Sequence, residues 1–438
     1  MLTDWTLTEQ ITLGIFALAW LYQLYFYLRY ILAAVRRTRH GVPNTNQQSV
    51  CGGEERRHGT LLYRDAVSVA SPLPNAGVSI IVCARDELAN LRDFMQALLT
   101  QDYPEYEVII VNDGSVDDTR TYLEYWQKRY KNLRLTFVPV GAKVTSTKKL
   151  AITLGAKAAQ YDYLLLTDAD CRPESTHWIS EMMSGFQSPI ANHQSQITNH
   201  QSQIDIVLGF GAYFVKPTLL NRMIQFDTLF NGLQYLGMAA AGHPYMGVGR
   251  NLAYSKRLFF AHGGFVGLLD NKAGDDDLFV NREATRQNTA VVCTRNSLTW
   301  SVPKSSLADW LRQKRRHLSV APKYKTSTKF RLCLEPLSRG LLYAALIALI
   351  VLYCQQLTAL GVPTTNRQWG DGSQWPLLIA AGAMLLRWIW QSVLLNIAAS
   401  RWGTTKTILL IPVWEIILPL ITLTMMLIEP LRPKPKRW

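Results

Sequence analysis

The stretch YDYLLLTDADCRP, residues 161–173, decides the fold. Its apolar run ends in two carboxylates, Asp168 and Asp170, and a spacing of two places both on one face of a strand end. Hard oxygen ligands paired in this way favour Mg2+ or Mn2+, and such an ion keeps open positions for the phosphates of a nucleotide. Asp-x-Asp also occurs in ordinary solvated turns, so the surrounding sequence has to decide between a metal site and a turn.

Three other apolar runs precede this stretch and are typical of strands buried on both faces. They are VSIIVCA (78–84), YEVIIVND (106–113) and LRLTFVPV (133–140). Segments with helical spacing separate the runs, and this alternation predicts right-handed crossovers and a parallel sheet covered on both faces. Ligands bind at the carboxyl ends of strands in such sheets, and the polar residues cluster at those ends here.

Four segments of the 438-residue chain are long and apolar enough to cross a bilayer. The first starts at Ile11, and the others lie near 337–357, 376–399 and 407–429. Arg36, Arg37 and Arg39 follow the first segment, which indicates a retained anchor with its C-terminal end in the cytoplasm rather than a cleaved signal peptide. We therefore expect an integral protein of a bacterial inner (cytoplasmic) membrane.

These features predict six regions along the chain. They are an N-terminal transmembrane anchor (1–40), a linker (41–77), a cytoplasmic α/β domain (78–320) with a polar insertion (188–204), a basic interfacial segment (321–336) and a C-terminal transmembrane region (337–438). NHQSQI occurs twice in the insertion, at 192–197 and 199–204, and its polar composition predicts a surface segment without a catalytic role.

The formal net charge of +14 is concentrated beside the membrane segments. Residues 304–331 carry many lysines and arginines against the single acid Asp309, which favours contact with anionic lipid head groups over nucleic acid, because no nucleic-acid-binding motif accompanies the charge. The six cysteines form no C-x-x-C pair. Neither a disulfide framework nor a zinc site is predicted, in keeping with a reducing compartment.

Several moderate motifs follow one another in a fixed order. They are VSIIVCARDE, VIIVNDGSVDDT, TSTKKLAITLG, the Asp-x-Asp stretch, GHPYMGVGRNLAYSKRLFFAHGGF, AGDDDLFVNR and WLRQKRRHL. This order resembles the membrane-embedded branch of the family 2 glycosyltransferases, which includes cellulose, chitin and hyaluronan synthases and ceramide glucosyltransferase. The resemblance covers roughly residues 75–320. It implies an α/β GT-A (Rossmann-like, nucleotide-diphospho-sugar transferase) domain with one N-terminal and about three C-terminal membrane helices.

The resemblance also assigns the donor site. The first motif supplies a nucleotide-contacting loop, Asp113 contacts base and ribose, and a lysine before an Ala-Leu-rich helix lies near the diphosphate. Asp168 lies closer to the nucleotide and Asp170 binds the metal. The residues expected at the donor are Ala84, Arg85, Glu87, Asp113, Lys148, Lys149, Asp168, Gly249, Asn251, Gln313 and Arg316. The sequence does not choose between Lys148 and Lys149, and Arg85 with Glu87 could equally form a surface pair.

The catalytic base is expected in AGDDDLFVNR. Alignment on the family's Glu-Asp motif places Gly274 at the glutamate and Asp275 at the base, with Asp276 as the second choice. Carboxylates in a first helical turn are also ordinary caps, although mutual repulsion of three should raise at least one pKa. His317 stands where the family usually has the tryptophan that stacks on the acceptor sugar. This departure argues against processive polymerisation more than against transfer.

The function expected is an inverting, single-displacement transfer from a nucleotide-diphospho-sugar, with a UDP-sugar as the expected donor, to a lipid-linked or saccharide acceptor. A processive polysaccharide synthase is the alternative within enzymes. A non-catalytic nucleotide-binding membrane scaffold is the alternative of another class. A nucleotidyltransferase should carry a glycine-rich phosphate loop after the first strand, and CARDE is not one.

The C-terminal membrane segments pose a topological conflict. Three spans after a cytoplasmic domain place the basic tail LRPKPKRW outside, contrary to the positive-inside rule, unless one segment, most simply the last, is re-entrant. If all three span, Arg387 and Glu415 lie at similar depth, and we expect them to pair inside the bundle.

Overall fold

The computed structural model describes residues 5–38, 76–139, 141–142, 144–187, 204–269, 271, 273–359, 374–407 and 410–428. The linker (41–77), the polar insertion (188–204) and the C-terminal tail lie outside the described residues, apart from positions 76, 77 and 204. The six-region division stays a prediction.

In the part of the chain that the structure describes, ten strands form two sheets. The strands are β1 (Val78–Ala84), β2 (Tyr106–Asn112), β3 (Leu133–Phe137), β4 (Tyr163–Asp168), β5 (Cys171–Pro173), β6 (Ile206–Leu208), β7 (Gly211–Tyr213), β8 (Leu252–Ser255), β9 (Thr289–Val291) and β10 (Thr299–Ser301). The large sheet has the order β3-β2-β1-β4-β8-β6-β9, and the small one has the order β5-β10-β7.

Helices cover both faces of the large sheet and extend away from it. They are α1 (Leu7–Phe26), α2 (Leu32–Arg37), α3 (Leu88–Leu99), α4 (Thr119–Gln127), α5 (Thr147–Ala158), α6 (Trp178–Ser184), α7 (Leu219–Ala240), α8 (Lys256–Ala261), α9 (Asp277–Glu283), α10 (Leu307–Leu318), α11 (Thr326–Ala359), α12 (Trp375–Trp402) and α13 (Ile411–Ile428). A π-helical turn (Tyr27–Ile31) joins α1 to α2, and short 3-10 segments occupy Gly185–Gln187, Arg295–Ser297 and Ala321–Lys323.

The four predicted strands are confirmed as β1 to β4, and they pair in parallel. Cys83 of β1 lies opposite Asp168 of β4, so the polar residues after these strands share one edge. The sheet is not parallel throughout, because β8 runs antiparallel to β4 and β6. Strand β8 begins at the carboxyl edge of the sheet, where Leu252 lies opposite Leu166. The glycine-rich segment before β8 therefore lies at the same edge as the ends of β1, β2 and β4.

Each face of the large sheet buries its own apolar core. Alternate residues of one strand enter different cores, as period-two geometry requires: Ile80 packs with α3 and α6, whereas Ile81 packs with α5. Only the core that contains Ile81 continues into the membrane helices. Burial of each such side chain contributes about 1.5–3 kcal/mol.

Among the described residues, four helical segments are long and apolar enough to cross a membrane: Leu7–Arg37, Thr326–Gln356, Trp375–Trp402 and Ile411–Ile428. They join the domain through close contacts. The Trp402 indole stacks on Phe210 with ring centroids 4.0 Å apart. Gly237 of α7 meets the backbone at Tyr30, where an added Cβ would lie 2.0 Å from the Tyr30 carbonyl oxygen. The bundle and the domain are therefore packed together directly.

The bundle interior holds a set of charged and polar side chains that we call the ionic network: Gln23, Glu335, Arg339, Arg387 and Glu415. The predicted ion pair between Arg387 and Glu415 is confirmed, and both side chains are almost fully buried. Arg387 also donates to Gln23 Oε1 at 2.8 Å. Arg339 pairs with Glu335 at 2.8 Å. Two cations thus balance two carboxylates where helices α1, α11, α12 and α13 meet.

Candidate active site

The loops after β1 and β2 are tied together at the carboxyl edge of the sheet. Asp86 has a φ of 55°, which aspartate tolerates better than most residues. Its N–H donates to Ser115 Oγ at 3.0 Å, and its carboxylate accepts from the Val116 N–H at 2.7 Å. The Asp113 N–H donates to the Ala84 carbonyl at 2.8 Å. These bonds fix the expected nucleotide loop and Asp113 beside each other.

The residues of the CARDE motif separate into different environments. Ala84 is buried and offers only its backbone, whereas Arg85 is exposed and makes no ion pair among the described residues. Glu87 instead accepts a hydrogen bond from Asn90 at 2.6 Å, so no Arg85–Glu87 pair forms. Burial raises the pKa of Glu87, and the negative charges of Asp170 and Asp168 raise it further.

Lys148 joins the two acidic motifs. Ser146 caps the helix α5, and this places Lys148 in its first turn. Its Nζ lies 3.0 Å from Asp168 Oδ1 and 3.2 Å from Asp275 Oδ2. A cation between the end of β4 and the expected base resolves the choice left open by the sequence: Lys148 is the lysine that faces the site.

Lys149 is a correction, because it does not face the donor site. Its side chain is fully buried and its Nζ donates to the carbonyls of Leu268, Asn271 and Ala273 at 2.9, 2.6 and 2.8 Å. Three carbonyl acceptors satisfy all three ammonium donors. Lys149 therefore holds the loop that leads into Asp275.

The three consecutive aspartates have different roles. Asp276 caps α9 through the Asp277 N–H at 2.8 Å and accepts the Gly249 N–H at 2.7 Å. Asp277 is buried and accepts the Tyr324 hydroxyl at 2.9 Å; burial and then the charge of Asp276 raise its pKa to about 8. Asp275 has Lys148 as its charged partner. The arrangement favours Asp275 as base, with Asp276 as a structural neighbour.

The missing glutamate at position 274 has a conformational reason. Gly274 has a φ of +88°, which L side chains rarely adopt, and an added Cβ would lie 2.6 Å from Leu278 Cδ1. A glutamate would be strained and would clash at this position. The backbone before Asp275 thus follows a course that excludes the family's usual residue.

We call Asp168, Asp170, Asp275 and Asp276, with Lys148, the acidic site. Burial alone would raise the pKa of Asp168, but the Lys148 ammonium lowers it below its ordinary value. Burial and the Asp168 charge raise the pKa of Asp170, and burial and the Asp275 charge raise that of Asp276. Four carboxylates with one ammonium in contact leave an excess of negative charge that suits a cation.

The donor atoms at the end of β4 fit a hard divalent cation. Single ligand atoms of Asp168, Asp170 and Cys171 all lie within 4.8 Å of one another. Burial raises the pKa of the Cys171 thiol well above its ordinary value, and its sulfur lies 2.9 Å from Ser301 Oγ. Since the thiol stays protonated, the two carboxylates are the available ligands, and oxygen ligands match Mg2+ or Mn2+.

Helix α10 contributes the cationic side of the cleft. Gln313 donates to the Tyr213 hydroxyl at 3.0 Å, while Arg316 and His317 are exposed. The charge of Arg316 is among those that lower the pKa of Asp168. Although His317 keeps part of its surface in contact with solvent, partial desolvation by the cleft, followed by the charges of Arg316 and Arg250, lowers the pKa of its ring, which is neutral at pH 7 and suited to planar contact.

Asn251 is a second correction, because it lies in the core. Its amide donates to the carbonyls of Phe210 and Ser297 at 2.9 and 2.7 Å and accepts from the Trp178 indole at 3.1 Å. The side chain is fully buried, so it supports the glycine-rich segment rather than a ligand. Gly249, by contrast, lines the acidic site: an added Cβ would lie 3.7 Å from Lys148 Nζ.

Two cations near the site, Arg250 and Lys304, are not among the residues expected at the donor, although Arg250 matches the family's glycine-rich stretch. Arg250 lies over the Tyr213 ring at 4.4 Å, donates to the Ala212 carbonyl at 3.2 Å, and is close enough to influence Asp170. Its place in the glycine-rich motif was the available signal. Lys304 also influences Asp170 and Glu87, but the sequence presents it only as one more residue of a basic segment.

Comparison with known proteins agrees with this fold. Residues 79–205 match the family model described as Glycosyl transferase family 2. Residues 79–205 therefore form a domain of this family, and its fold is the expected GT-A class. The mannosyltransferase PcManGT from Pyrobaculum calidifontis, solved with GDP-Man and Mn2+, superposes with a TM-score of 0.50 at 17% identity, covering 89% of this chain and 98% of that one.

Curated relatives match a shorter stretch. The poly-beta-1,6-N-acetyl-D-glucosamine synthase of Staphylococcus epidermidis is 33% identical over 94 residues, which are 22% of each protein. The uncharacterized glycosyltransferase YibD of Escherichia coli strain K12 is 30% identical over 105 residues, 24% of this chain and 26% of that protein. The chain thus matches about a quarter or less of the length of these relatives. With its four candidate spans, it is a membrane protein.

Proposed function

We propose that the protein transfers a sugar from a nucleotide-diphospho-sugar to an acceptor hydroxyl with inversion. The observation that carries this proposal is the contact of Lys148 with both Asp168 and Asp275. Through this contact, a residue expected to hold the diphosphate-bound metal and the candidate base are neighbours of the same ammonium group. A scaffold that only binds a nucleotide has no need of a carboxylate held next to the donor site in this way.

The residues divide the reaction between them. Asp113 and the loop after β1 hold the nucleoside, and Lys148, Arg316 and Gln313 orient the diphosphate. Mg2+ or Mn2+ held by Asp170 and Asp168 would supply charge stabilisation for the departing diphosphate. Asp275 accepts the proton of the attacking hydroxyl, and no covalent intermediate is required. Lys148 contacts both Asp168 and Asp275 and so joins the two ends of this arrangement.

Donor, acceptor and orientation complete the proposal. We expect a UDP-sugar donor, a lipid-linked or saccharide acceptor near His317, and a domain that faces the cytoplasm, where nucleotide sugars are made. The similarity to a synthase of poly-beta-1,6-N-acetyl-D-glucosamine supports a processive polysaccharide synthase as a second candidate. The balanced ionic network in the bundle, and histidine rather than tryptophan at position 317, favour the transfer of single sugars.

The test is transfer by membranes that contain the full chain, incubated with a panel of labelled nucleotide sugars with and without Mg2+ or Mn2+. Metal-dependent incorporation from one donor, lost in Asp170→Asn, is the expected result. Tight nucleotide binding without turnover would replace the proposal with the scaffold, and full activity of Asp170→Asn would remove its metal role. Product length on a gel distinguishes single transfer from polymerisation.

A further inference from the structure

Three arginines from separate segments converge where the membrane helices meet the domain. Arg29 lies in the π-helical turn after α1, and its guanidinium donates to the Ala241 carbonyl at 2.9 Å. Arg286 follows α9, and its side chain packs on Gly242, where an added Cβ would lie 2.9 Å from Arg286 Cδ. These two arginines thus hold consecutive residues at the end of α7.

His243 and Arg331 complete the group, which we call the junction cluster. The His243 ring lies edge-on to the Tyr30 ring, with centroids 6.3 Å apart. Arg331 shares a face of α11 with Thr328 and Glu335 through spacings of three and four. Thr328 accepts from Asn281 of the domain at 3.4 Å, and the Glu335 carbonyl accepts from Gln23 of α1 at 3.1 Å. Arg331 therefore lies between the domain and the first membrane helix.

The charges of the junction cluster are uncompensated. Arg29, Arg286 and Arg331 are all exposed, and within the part of the chain that the structure describes none of them forms an ion pair. Burial, followed by the charges of Arg331, Arg29 and Arg286, lowers the pKa of His243. Arg29 and Arg286 contact the two residues before His243, the charge of Arg331 acts on the same imidazole, and an anion is the partner that the three arginines lack.

The position of the junction cluster along the helices gives its depth relative to the bilayer. Arg29 follows Leu7 by 22 residues, which is roughly 33 Å of helix. This rise is about the thickness of the hydrocarbon layer. Arg331 lies in the second turn of α11, at the domain end of its span. Both residues are therefore at the level of the lipid head groups on the side of the domain.

We propose that the junction cluster binds the phosphate or diphosphate group of a membrane lipid in the leaflet that faces the domain. Planar guanidiniums match phosphate oxygens with paired hydrogen bonds, and their convergence from three segments gives a discrete site rather than a diffuse basic surface. The proposal is independent of the transfer reaction, because none of these residues belongs to the acidic site.

The experiment uses the full chain purified in detergent and titrated by native mass spectrometry. The probes are dioleoyl phosphatidic acid, dioleoyl phosphatidylglycerol and the zwitterionic dioleoyl phosphatidylcholine, with inorganic phosphate and pyrophosphate as soluble competitors. The test variant is Arg29→Gln/Arg286→Gln/Arg331→Gln. The matched control is Arg92→Gln/Arg120→Gln/Arg129→Gln, which removes the same charge from α3, α4 and the turn after α4, on the sheet face whose core excludes the membrane helices.

The wild type and the control should bind the two anionic lipids more tightly than phosphatidylcholine, and the test variant should lose roughly 100-fold in affinity. Arg286→Gln alone, in an exposed turn, should lose about fivefold and covers the case in which the triple variant does not fold. Equal binding by Arg286→Gln and wild type, or an equal loss in the control, overturns the proposal. Displacement of lipid by pyrophosphate at similar concentration would overturn the lipid assignment and leave a soluble phosphate compound as the ligand.

Discussion

The acidic site and the ionic network are both clusters of buried or half-buried charges, but they differ in their balance. In the network, two arginines meet two glutamates, and each ion has a partner of opposite sign. In the acidic site, Lys148 is the cation in contact with Asp168 and Asp275, while Asp170 and Asp276 have raised pKa values. The balanced charges of the ionic network serve the packing of the helices. The excess negative charge of the acidic site suits a cation that binds to the folded protein.

The largest effect is expected from Asp275→Asn. Loss of the base should lower the transfer rate by about 10²–10⁴-fold, measured as initial rates with the donor found in the panel. The melting temperature should not fall, because one repelling charge leaves the acidic site. Asp118→Asn, an exposed change of the same charge, is the control and should retain its rate. A rate for Asp275→Asn within threefold of wild type would show that the base lies elsewhere.

In the ionic network, by contrast, removal of one charge should lower the stability of the fold. Glu415→Gln leaves Arg387 buried without its counter-ion, and we expect a loss of about 3–5 kcal/mol in the free energy of unfolding. Thermal unfolding in detergent measures this. The double variant Arg387→Met/Glu415→Leu should regain most of the loss, since it removes both charges. A single variant as stable as wild type would contradict the structural role of the pair.

Lys149→Met tests the loop that leads into Asp275, the proposed base. Three carbonyls lose their donor, which should lower the free energy of unfolding by about 1–3 kcal/mol and raise hydrogen exchange in residues 262–276. The nucleotide-binding strands should keep their protection. Lys157→Met, exposed on the same helix, is the matched control and should change neither quantity. Unchanged exchange in this loop would mean that Lys149 does not hold it.

The smallest effect is expected from Asp277→Asn. The pKa of Asp277 is raised to about 8 in the folded protein, so the folded state binds an extra proton between the unfolded pKa near 4 and pH 8. Stability from this carboxyl is full below pH 4 and is lost as the pH rises through 8. The melting temperature of Asp277→Asn relative to wild type should therefore rise by a few degrees from pH 6 to pH 9. A difference independent of pH would exclude this titration.

Short-range sequence patterns predicted the elements of the fold that depend on neighbouring residues alone. Apolar runs located β1 to β4, and the edge that they share brought Asp113 and Asp168 to one side of the sheet. Helix register was enough to pair Arg387 with Glu415. The antiparallel direction of β8 was not predictable, because it depends on the edge of the sheet at which the long connection before β8 ends.

The two lysines of α5 show where sequence reasoning stops. Both flank the same buried stripe, which includes Ala151 and Ile152, so helical periodicity treats them alike. The difference arises from a loop more than a hundred residues away, whose carbonyls surround Lys149. Asn251 was likewise assigned from its motif, although its partners come from distant segments.

The contact between Gly237 and the backbone at Tyr30 also determines how far the domain lies from the membrane helices. With no side chain between the two helices, this contact fixes the distance between the domain and the first membrane helix. For the proposed transfer to a lipid-linked acceptor, the acceptor hydroxyl would have to reach Asp275 from its own anchor in the membrane. The distance from that anchor to the hydroxyl would then be a criterion of substrate choice, and a larger residue at position 237 should alter it.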